Sequence, residues 1–251
     1  MDVINKVDKE FVINSYITEN TLHEYSSAVT DIGLWESEKV FFAKHLSFSS
    51  CILDIGCGAG RTTFGLQTMG YEDITGLDLC PQMIKEAKIH CKNSNANIKF
   101  VVGDACSLSF EDRTFDTCLF SYNGLMQIPK IENRIKAISE ICRVLKHGGV
   151  FVFTTHDRNM LPEWKWFWDE EVSKWKNNQQ DKRLHEFGDR IIEDGDGVIY
   201  LHFPTRQEVL ESISKSGLEL VEDKWLTELA DEPEIVKKTI SECRFWAARK
   251  P

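Results

Sequence analysis

The fold of this chain is decided by the stretch CILDIGCGAG at residues 51–60. Its first residues form an apolar run of the length of one buried strand, and glycine then occupies every second position, at Gly56, Gly58 and Gly60. A strand that runs into a glycine-rich turn brings backbone amides and the start of a helix close to a ligand, because glycine has no Cβ to obstruct the approach. The stretch therefore predicts a site for a nucleotide-like ligand.

Short apolar runs continue this pattern along the chain. They lie at residues 74–77, 98–102, 117–120 and 150–155, with helical stretches between them. One helix is expected to start at Pro81, and another carries an apolar stripe from Ile135 to Leu145 that Gly148-Gly149 is expected to end. Strands that alternate with helices predict a doubly wound, mostly parallel α/β sheet covered on both faces. The runs 218–221 and 243–248 are expected to be its last two strands.

Three acids follow three successive strands of this predicted sheet. Asp54, Asp78 and Asp104 would all lie at its carboxyl edge, where open α/β sheets bind their ligands. Asp78 comes 20 residues after Gly58, at a spacing that suits a carboxylate accepting both hydroxyls of a ribose. Each acid alone could equally be a helix cap or a turn residue. Arg61 stands where a dinucleotide fingerprint has its third glycine, which disfavours a nicotinamide-dependent oxidoreductase.

The segments around these residues resemble the motifs of the class I S-adenosylmethionine-dependent methyltransferases. The resemblance runs from about residue 50 to residue 157, and is weaker from there to the C-terminus. Five segments carry it, which are CILDIGCGAG at 51–60, GLDLCPQM at 76–83, GDA at 103–105, FDTCLFS at 115–121 and LKHGG at 145–149. It implies a Rossmann-like sheet of seven strands whose last strand, 243–248, runs antiparallel.

The resemblance also implies which residues hold the cofactor, S-adenosylmethionine. These are Asp54, Gly56, Cys57, Gly58, Asp78, Leu79, Met83, Asp104, Ala105 and Ser121. The glycine turn, Asp54 and Ser121 would surround the methionine part, and Asp78 would hold the ribose. Leu79 and Met83 would pack on the adenine, while Asp104 and the amide of Ala105 would read its edge.

The chain is expected to form one elaborated domain, because 251 residues suffice for a single full core. Residues 1–48 are amphipathic and helical, and the resemblance suggests that they form a lid over the cofactor. Residues 49–157 would be the cofactor-binding core. Residues 158–203, with four tryptophans, interrupt the alternation and are expected to form an α/β cap insertion. Residues 204–251 would complete the sheet, starting with a helix behind the capping box of Thr205 and Glu208.

Composition limits the possible partners and the compartment. The formal net charge of −10 and the pI of about 5.3 disfavour a generic nucleic-acid binder, which needs a surplus of Lys and Arg. No apolar run approaches the roughly 20 residues that cross a bilayer, and the polar start is not a secretory signal. Eight cysteines without a C-x-x-C pair argue against a disulfide scaffold and a zinc site, so we expect no metal and a cytoplasmic protein. The oligomeric state stays open.

Four residues are candidates for contact with the methyl acceptor: Tyr122, His156, Tyr200 and His202. His156 follows the fifth strand as a base, a substrate ligand or a turn residue. Tyr200 and His202 share one face of an alternating strand, which either points into the pocket or is exposed. Trp164, Trp168 and Trp175 share a helical face that either packs on the domain or walls an apolar pocket. We assign no catalytic residue, because methyl transfer can proceed by positioning alone.

Three functions fit these patterns. The first is a methyltransferase of a small molecule, which the acidic charge and the aromatic insertion favour. The second is a methyltransferase of RNA or protein; the motif Asn/Asp-Pro-Pro-Tyr, which marks enzymes that methylate exocyclic amines of bases or glutamine amides, is absent after the fourth strand. The third is a regulatory protein that binds S-adenosylmethionine without transferring its methyl group.

Overall fold

The protein is described from a computed structural model, in which residues 5–94, 96–160, 162–194 and 197–251 are placed. The first four residues of the expected lid therefore lie outside the described part. The strands are β1 Ile52–Ile55, β2 Ile74–Asp78, β3 Lys99–Val102, β4 Phe115–Phe120, β5 Leu145–Thr155, β6 Asp189–Asp194, β7 Gly197–His202, β8 Glu219–Trp225 and β9 Arg244–Arg249.

Ten helices accompany these strands in the described ranges. They are α1 Lys9–Ser15, α2 Glu19–Asp31, α3 Glu36–His45, α4 Arg61–Thr68, α5 Pro81–Ser94, α6 Ile131–Val144, α7 Lys165–Lys176, α8 Arg206–Lys215, α9 Leu226–Leu229 and α10 Glu234–Lys237. Short 3-10 turns lie at Gly124–Gln127 and Pro162–Trp164. No helix among the described residues combines the length and the apolar character that a membrane crossing needs.

Seven strands form one sheet in the order β3-β2-β1-β4-β5-β9-β8. Neighbours from β3 to β5 pair in parallel, while β9 runs antiparallel to both β5 and β8. The strand order reverses between β1 and β4, and ligands of doubly wound sheets bind at the carboxyl ends beside such a reversal. The expected seven-stranded, Rossmann-like sheet with an antiparallel last strand is confirmed.

The core lies in two layers, one on each face of the sheet. On one face Leu53, Phe151 and Phe153 pack against Ile138 of α6 and Ile213 of α8. On the other face Ile52 and Val152 pack with the aromatic residues of α3, among them Phe41 and Phe42. Successive residues of β1 and β5 thus alternate between the two layers, as a strand covered on both faces requires.

The glycine pair 148–149 does not end the preceding helix, contrary to the prediction. Helix α6 ends at Val144, and β5 starts at once with Leu145, which pairs with Phe115. Gly148 adopts a positive φ of 77°, and its amide donates to the carbonyl of Lys250 at 2.9 Å. A Cβ at Gly149 would lie 3.0 Å from the carbonyl oxygen of Asp116. The glycines therefore serve a bend inside the strand.

The insertion at residues 158–203 contains α7 and a separate two-stranded antiparallel sheet of β6 and β7. It lies between β5 and α8, and α8 starts with the expected capping box, in which Thr205 and Glu208 bond each other's backbone amides. The aromatic side chains of α7 pack within the insertion itself. Trp168 and Trp175 contact Phe187, with ring centroids 5.9 and 6.4 Å apart.

A carboxylate from the C-terminal part of the chain caps helix α3. Glu232, only 3% exposed, accepts hydrogen bonds from the backbone amides of Glu36 at 2.9 Å and Ser37 at 2.8 Å. These amides belong to the first turn of the helix and have no partner within it. The negative charge also lies at the positive end of the helix dipole. The contact fixes α3, and with it the N-terminal region, to the end of the sheet.

Replacing Glu232 with Ala should therefore lower the free energy of unfolding by about 2 kcal/mol, because two buried amides lose their acceptor. Urea denaturation measures this change. Glu234→Ala removes an exposed acid from the same segment and should change stability by less than about 0.5 kcal/mol. Equal effects of the two substitutions would contradict the capping role.

Candidate functional site

A cavity of about 890 Å³ opens at the carboxyl edge of the sheet. Nine of the ten residues expected to bind the cofactor line it: Gly56, Cys57, Gly58, Asp78, Leu79, Met83, Asp104, Ala105 and Ser121. They come from the ends of β1 to β4 and the turns that follow, except Met83, which lies in the first turn of α5. Helices α1 and α2 of the N-terminal region cover it, and Tyr16 and Tyr25 contribute to its wall.

The glycine turn after β1 forms the floor of this cavity. Gly56 and Gly58 adopt positive φ angles of 64° and 55°, a region that costs other residues strain. A Cβ at Gly56 would lie 2.6 Å from the ring of Phe120, and one at Gly58 would lie 3.3 Å from Tyr25. Because glycine occupies both positions, the backbone can approach a ligand, and α4 then starts at Arg61 with its N-terminus near the cavity.

Asp78 joins this turn to the turn after β2. Its carboxylate accepts one hydrogen bond from the amide of Gly58 and one from the amide of Cys80, each at 2.8 Å. Burial raises the pKa of Asp78, and the two amide hydrogen bonds only partly oppose that rise. Each carboxylate oxygen retains capacity for a further donor, so the side chain can still accept two hydroxyl groups from the cavity.

Asp54 lies behind the glycine turn and not in the cavity wall. It is 1% exposed, and the hydroxyl of Thr63 in α4 donates to it at 2.6 Å. Burial is the largest effect on its pKa and raises it to about 7. The hydrogen bond from Thr63 and the charge of Arg61 lower the pKa, but less than burial raises it. Asp54 therefore changes between its protonated and its ionised form near neutral pH.

The raised pKa of Asp54 makes stability depend on pH. Because its pKa is higher in the folded protein than the ordinary 3.8, the protonated side chain adds stability that is complete below the ordinary pKa. This stability is lost as pH rises through about 7. As the pH rises from about 4.5 to 8, the free energy of unfolding of Asp54→Asn should increase by roughly 3 kcal/mol relative to that of the wild type. Urea denaturation at both pH values measures this difference. Parallel pH profiles of the two proteins would contradict the assignment.

Asp104 lies in the turn after β3 and forms an ion pair with Lys9 of α1. The amide of Cys106 also donates to this carboxylate, at 2.8 Å. Burial pushes the pKa of Asp104 upward, but the hydrogen bonds from Lys9 and Cys106 outweigh it and leave the pKa below its ordinary value. The ion pair ties α1 across the part of the cavity that lies at β3.

Four aromatic side chains form a continuous wall beside the glycine turn. Tyr16 meets Tyr25 edge to face with ring centroids 5.4 Å apart, and Trp35 meets Tyr122 in the same way at 5.5 Å. The Tyr16 hydroxyl is buried and makes no hydrogen bond within the described part of the chain. Tyr122, a candidate acceptor residue, lies in this wall in the left-handed region with φ of 52°.

The other three candidate acceptor residues do not line the cavity. His156 Nδ1 donates to the carbonyl of Glu242 at 2.9 Å, and its Nε2 lies 3.3 Å from the amide nitrogen of Asn123. Burial lowers the pKa of His156, so the ring is a neutral part of this loop. Residues 197–202 form the expected strand. The face of this strand that meets the cavity is the one with Ile199, not the one with Tyr200 and His202. Tyr200 and His202 are buried in the insertion.

The tryptophans of α7 do not wall the cavity either. Trp168 packs on Phe187 and Phe203, and Trp164 and Trp166 are largely exposed. The cavity wall on this side comes instead from Ile199, from Tyr16 after α1 and from Tyr25 of α2.

Comparisons with known proteins agree with this geometry. Residues 52–149 match a family model described as a methyltransferase domain. The chain is 34% identical over 123 residues to demethylmenaquinone methyltransferase of Staphylococcus haemolyticus, covering 48% of this chain and 49% of that protein. It is 28% identical over 233 residues to a ubiquinone/menaquinone biosynthesis C-methyltransferase of Brucella canis, covering 88% of this chain and 78% of the relative.

A solved structure shows the same fold. An S-adenosylmethionine-dependent methyltransferase from Methanosarcina mazei superposes with a TM-score of 0.68 and 24% identity, covering 84% of this chain and 96% of that one. Over residues 52–149 the chain is thus similar to a methyltransferase domain, and it shares the fold of the Methanosarcina mazei protein. The chain spans about half the length of the Staphylococcus haemolyticus relative.

One ion pair beside the cavity was not expected from the sequence. Arg61 donates two hydrogen bonds to Glu38 of α3, at 2.6 and 2.7 Å, and a third to the carbonyl of Gly33 at 2.7 Å. Its guanidinium also lies 4.9 Å from the centre of the Trp35 ring. The pair links the first residue after the glycine turn to the N-terminal helices. An acid on the buried face of α3 is the only sequence signal of it.

Glu38→Ala should lower the free energy of unfolding by about 3–5 kcal/mol, because it leaves the buried charge of Arg61 without a counterion. Urea denaturation measures the loss. Lys39→Ala breaks the exposed pair with Glu36 in the same helix and should cost less than about 1 kcal/mol. A loss below about 1 kcal/mol for Glu38→Ala would show that the pair does not hold the two regions together.

Proposed function

We propose that this chain is an enzyme that transfers the methyl group of S-adenosylmethionine to a small, largely uncharged molecule. The observation that carries the proposal is the convergence of the glycine turn, Asp78 and Asp104 on one cavity of about 890 Å³. The volume lies toward the upper end of the range for pockets that take small ligands, which leaves room for an acceptor beside a cofactor.

The residues of the cavity fit the cofactor. The turn at Gly56 and Gly58 leaves a space that Cβ atoms would fill, next to the start of α4. Asp78 is already oriented by two amide hydrogen bonds and can accept the two ribose hydroxyls. Met83 and Leu79 offer apolar surface for the adenine, and Asp104 with the amide of Ala105 lies where its edge would reach. Asp54 would act from behind the turn on the methionine amino group.

The charge distribution in the cavity favours an uncharged acceptor. The buried cation Arg61 is paired with Glu38, the exposed Lys9 is paired with Asp104, and the remaining acid is Asp78. The other charged residues of the wall are exposed: His23, Glu24, Asp31, Lys136 and Lys238. An ion buried in the interior would therefore lack a counterion, and such burial is costly. The names of the relatives, quinone methyltransferases, support the same class of acceptor.

The side chains of the wall would orient and shield the acceptor rather than activate it. When bound, S-adenosylmethionine supplies an electrophilic methyl group that needs little activation. Burial raises the pKa of Tyr16 and Tyr25 far above neutrality, so both phenols are donors and not bases. Tyr122, Trp35 and the two tyrosines would exclude water and hold the acceptor in line with the methyl group.

Two other functions stay as alternatives. Methylation of RNA or protein would need a surface that binds a macromolecule, and the net charge of −10 disfavours RNA. A regulatory protein would bind the cofactor without turnover. Formation of S-adenosylhomocysteine on a fractionated metabolite extract would support the enzyme, and its absence on all fractions, with intact cofactor binding, would favour the regulatory role.

We place the protein in the cytoplasm, which its eight free thiols support.

Asp78→Ala should weaken the binding of S-adenosylmethionine at least about 100-fold, because the ribose loses its acceptor and the two turns lose their link. Isothermal titration calorimetry measures the affinity. Glu72→Ala changes an exposed acid just before β2 and should bind within about twofold of the wild type. Unchanged affinity of the Asp78 variant would refute the cofactor site.

A further inference from the structure

A buried carboxylate organises the insertion. Asp189 accepts hydrogen bonds from the hydroxyl of Tyr200 at 2.7 Å and from His202 Nδ1 at 2.8 Å on one oxygen. Its other oxygen accepts from the backbone amides of His185 at 2.9 Å and Glu186 at 3.0 Å. The four donors come from β7 and from the loop at residues 183–189. Asp189 therefore fixes the shape of this loop against the strand.

These side chains also include three groups that could ligate a metal, since Glu186, Asp189 and His202 bring their ligand atoms within 4.8 Å of one another. Both oxygens of Asp189 are, however, filled by two donors each, and Glu186 pairs with Arg134 at 2.9 Å. Hydrogen bonds thus already satisfy the acids of the cluster. The role of this cluster therefore follows from the segment of the chain that the loop at residues 183–189 binds.

The loop grips the chain just before α1. The amide of Val7 donates to the carbonyl of Arg183 at 3.0 Å, and His185 Nε2 donates to the carbonyl of Val7 at 2.6 Å. The ammonium group of Lys6 donates to the carbonyl of Leu184 at 2.9 Å. Val7 itself is buried. Three hydrogen bonds on two neighbouring residues form a clip between the insertion and the N-terminal segment.

The clipped segment continues directly into the cover of the cavity. Asp8 caps α1 by accepting from the amide of Phe11 at 2.9 Å, so the helix starts two residues after Val7. From α1 and the residue after it, Lys9, Val12, Ile13 and Tyr16 line the cavity. Lys9 pairs with Asp104 and Tyr16 packs with Met83, both at the cofactor end. Residues 6–16 form what we call the N-terminal roof.

We propose that His185, held by Asp189, is a positioning residue that clips the N-terminal roof over the bound cofactor and sets how fast the cofactor leaves. This inference rests on the proposed function of the cavity as a site for S-adenosylmethionine. A helix of seven residues has little stability of its own, so its position depends on contacts at its ends. The clip holds its N-terminal end, beside the ion pair of Lys9 with Asp104. The insertion therefore acts on the site through the roof and not through its tryptophans.

The matched variants His185→Leu and His185→Gln test the clip. Leucine lacks the donor to the Val7 carbonyl, whereas the glutamine amide can donate from about the position of Nε2. Loss of one hydrogen bond should speed dissociation of S-adenosylhomocysteine about three- to tenfold in His185→Leu. His185→Gln should stay within about twofold of the wild type. Stopped-flow displacement, followed by intrinsic fluorescence, measures both rates.

Hydrogen exchange separates positioning from general destabilisation. In His185→Leu with bound S-adenosylhomocysteine, the amides of α1 should exchange faster while those of β1 and β4 keep their protection. Asp189→Asn should show the same pattern more strongly, because an NH2 donor replaces one acceptor oxygen and faces either the two loop amides or the donors of Tyr200 and His202. Unchanged dissociation in His185→Leu, or faster exchange spread evenly over the chain, would overturn the inference. If the wild type bound no cofactor at all, the proposed function would fail instead.

Discussion

Two backbone amides that donate to one carboxylate hold this site together. Gly58 and Cys80 belong to turns that follow different strands, and Asp78 bonds both. The carboxylate is buried, and these donors offset part of the cost of its desolvation. This constraint fixes the distance between the two turns, and the start of α4 and the start of α5 follow from it. The ends of β1 and β2 therefore determine the shape of the cavity between the two turns.

The cover of the cavity depends on a different kind of contact. Helix α1 contacts β7 and helix α2 contacts α4 and α5, and several polar links hold the N-terminal region in place, among them the pair of Lys9 with Asp104. Glu232 caps α3, Glu38 binds Arg61, and the insertion binds Val7. Each link joins elements that are far apart in sequence. A cover fixed at a few points can open while the sheet stays folded. A ligand beneath the cover needs such an opening to enter and to leave.

The floor of the site could be predicted from the sequence because its logic is local. A strand that ends in glycines and a second strand that ends in an acid specify each other's geometry within about 30 residues. The fold followed from the alternation of apolar runs and helices. The pair Gly148-Gly149 predicts a helix end but lies at a bend in a strand, because glycine permits a left-handed backbone in either element.

The walls of the site could not be predicted in the same way, since they depend on tertiary contacts. Alternation in β7 correctly separated Ile199 from Tyr200 and His202, yet it does not say which face meets the cavity. Asp189 settles the matter, because a buried carboxylate attracts the two polar side chains to its own side. The pair of Arg61 and Glu38 joins residues 23 positions apart on two helices, and no periodicity links them.

The charges around the glycine turn explain why this site suits a cationic ligand. Arg61 occupies the place at which a phosphate-binding turn would have glycine, but Glu38 neutralises it. Asp54 and Asp78 lie close enough for each to disfavour the other's ionisation, and Glu38 adds to the effect on Asp54. A phosphate would add negative charge to this group of acids. An ammonium group beside Asp54 would instead lower its pKa, so the proton that the carboxyl carries near neutral pH is exchanged for the charge of the ligand. The same acids that destabilise the ionised site thereby favour an amino acid–derived cofactor over a dinucleotide.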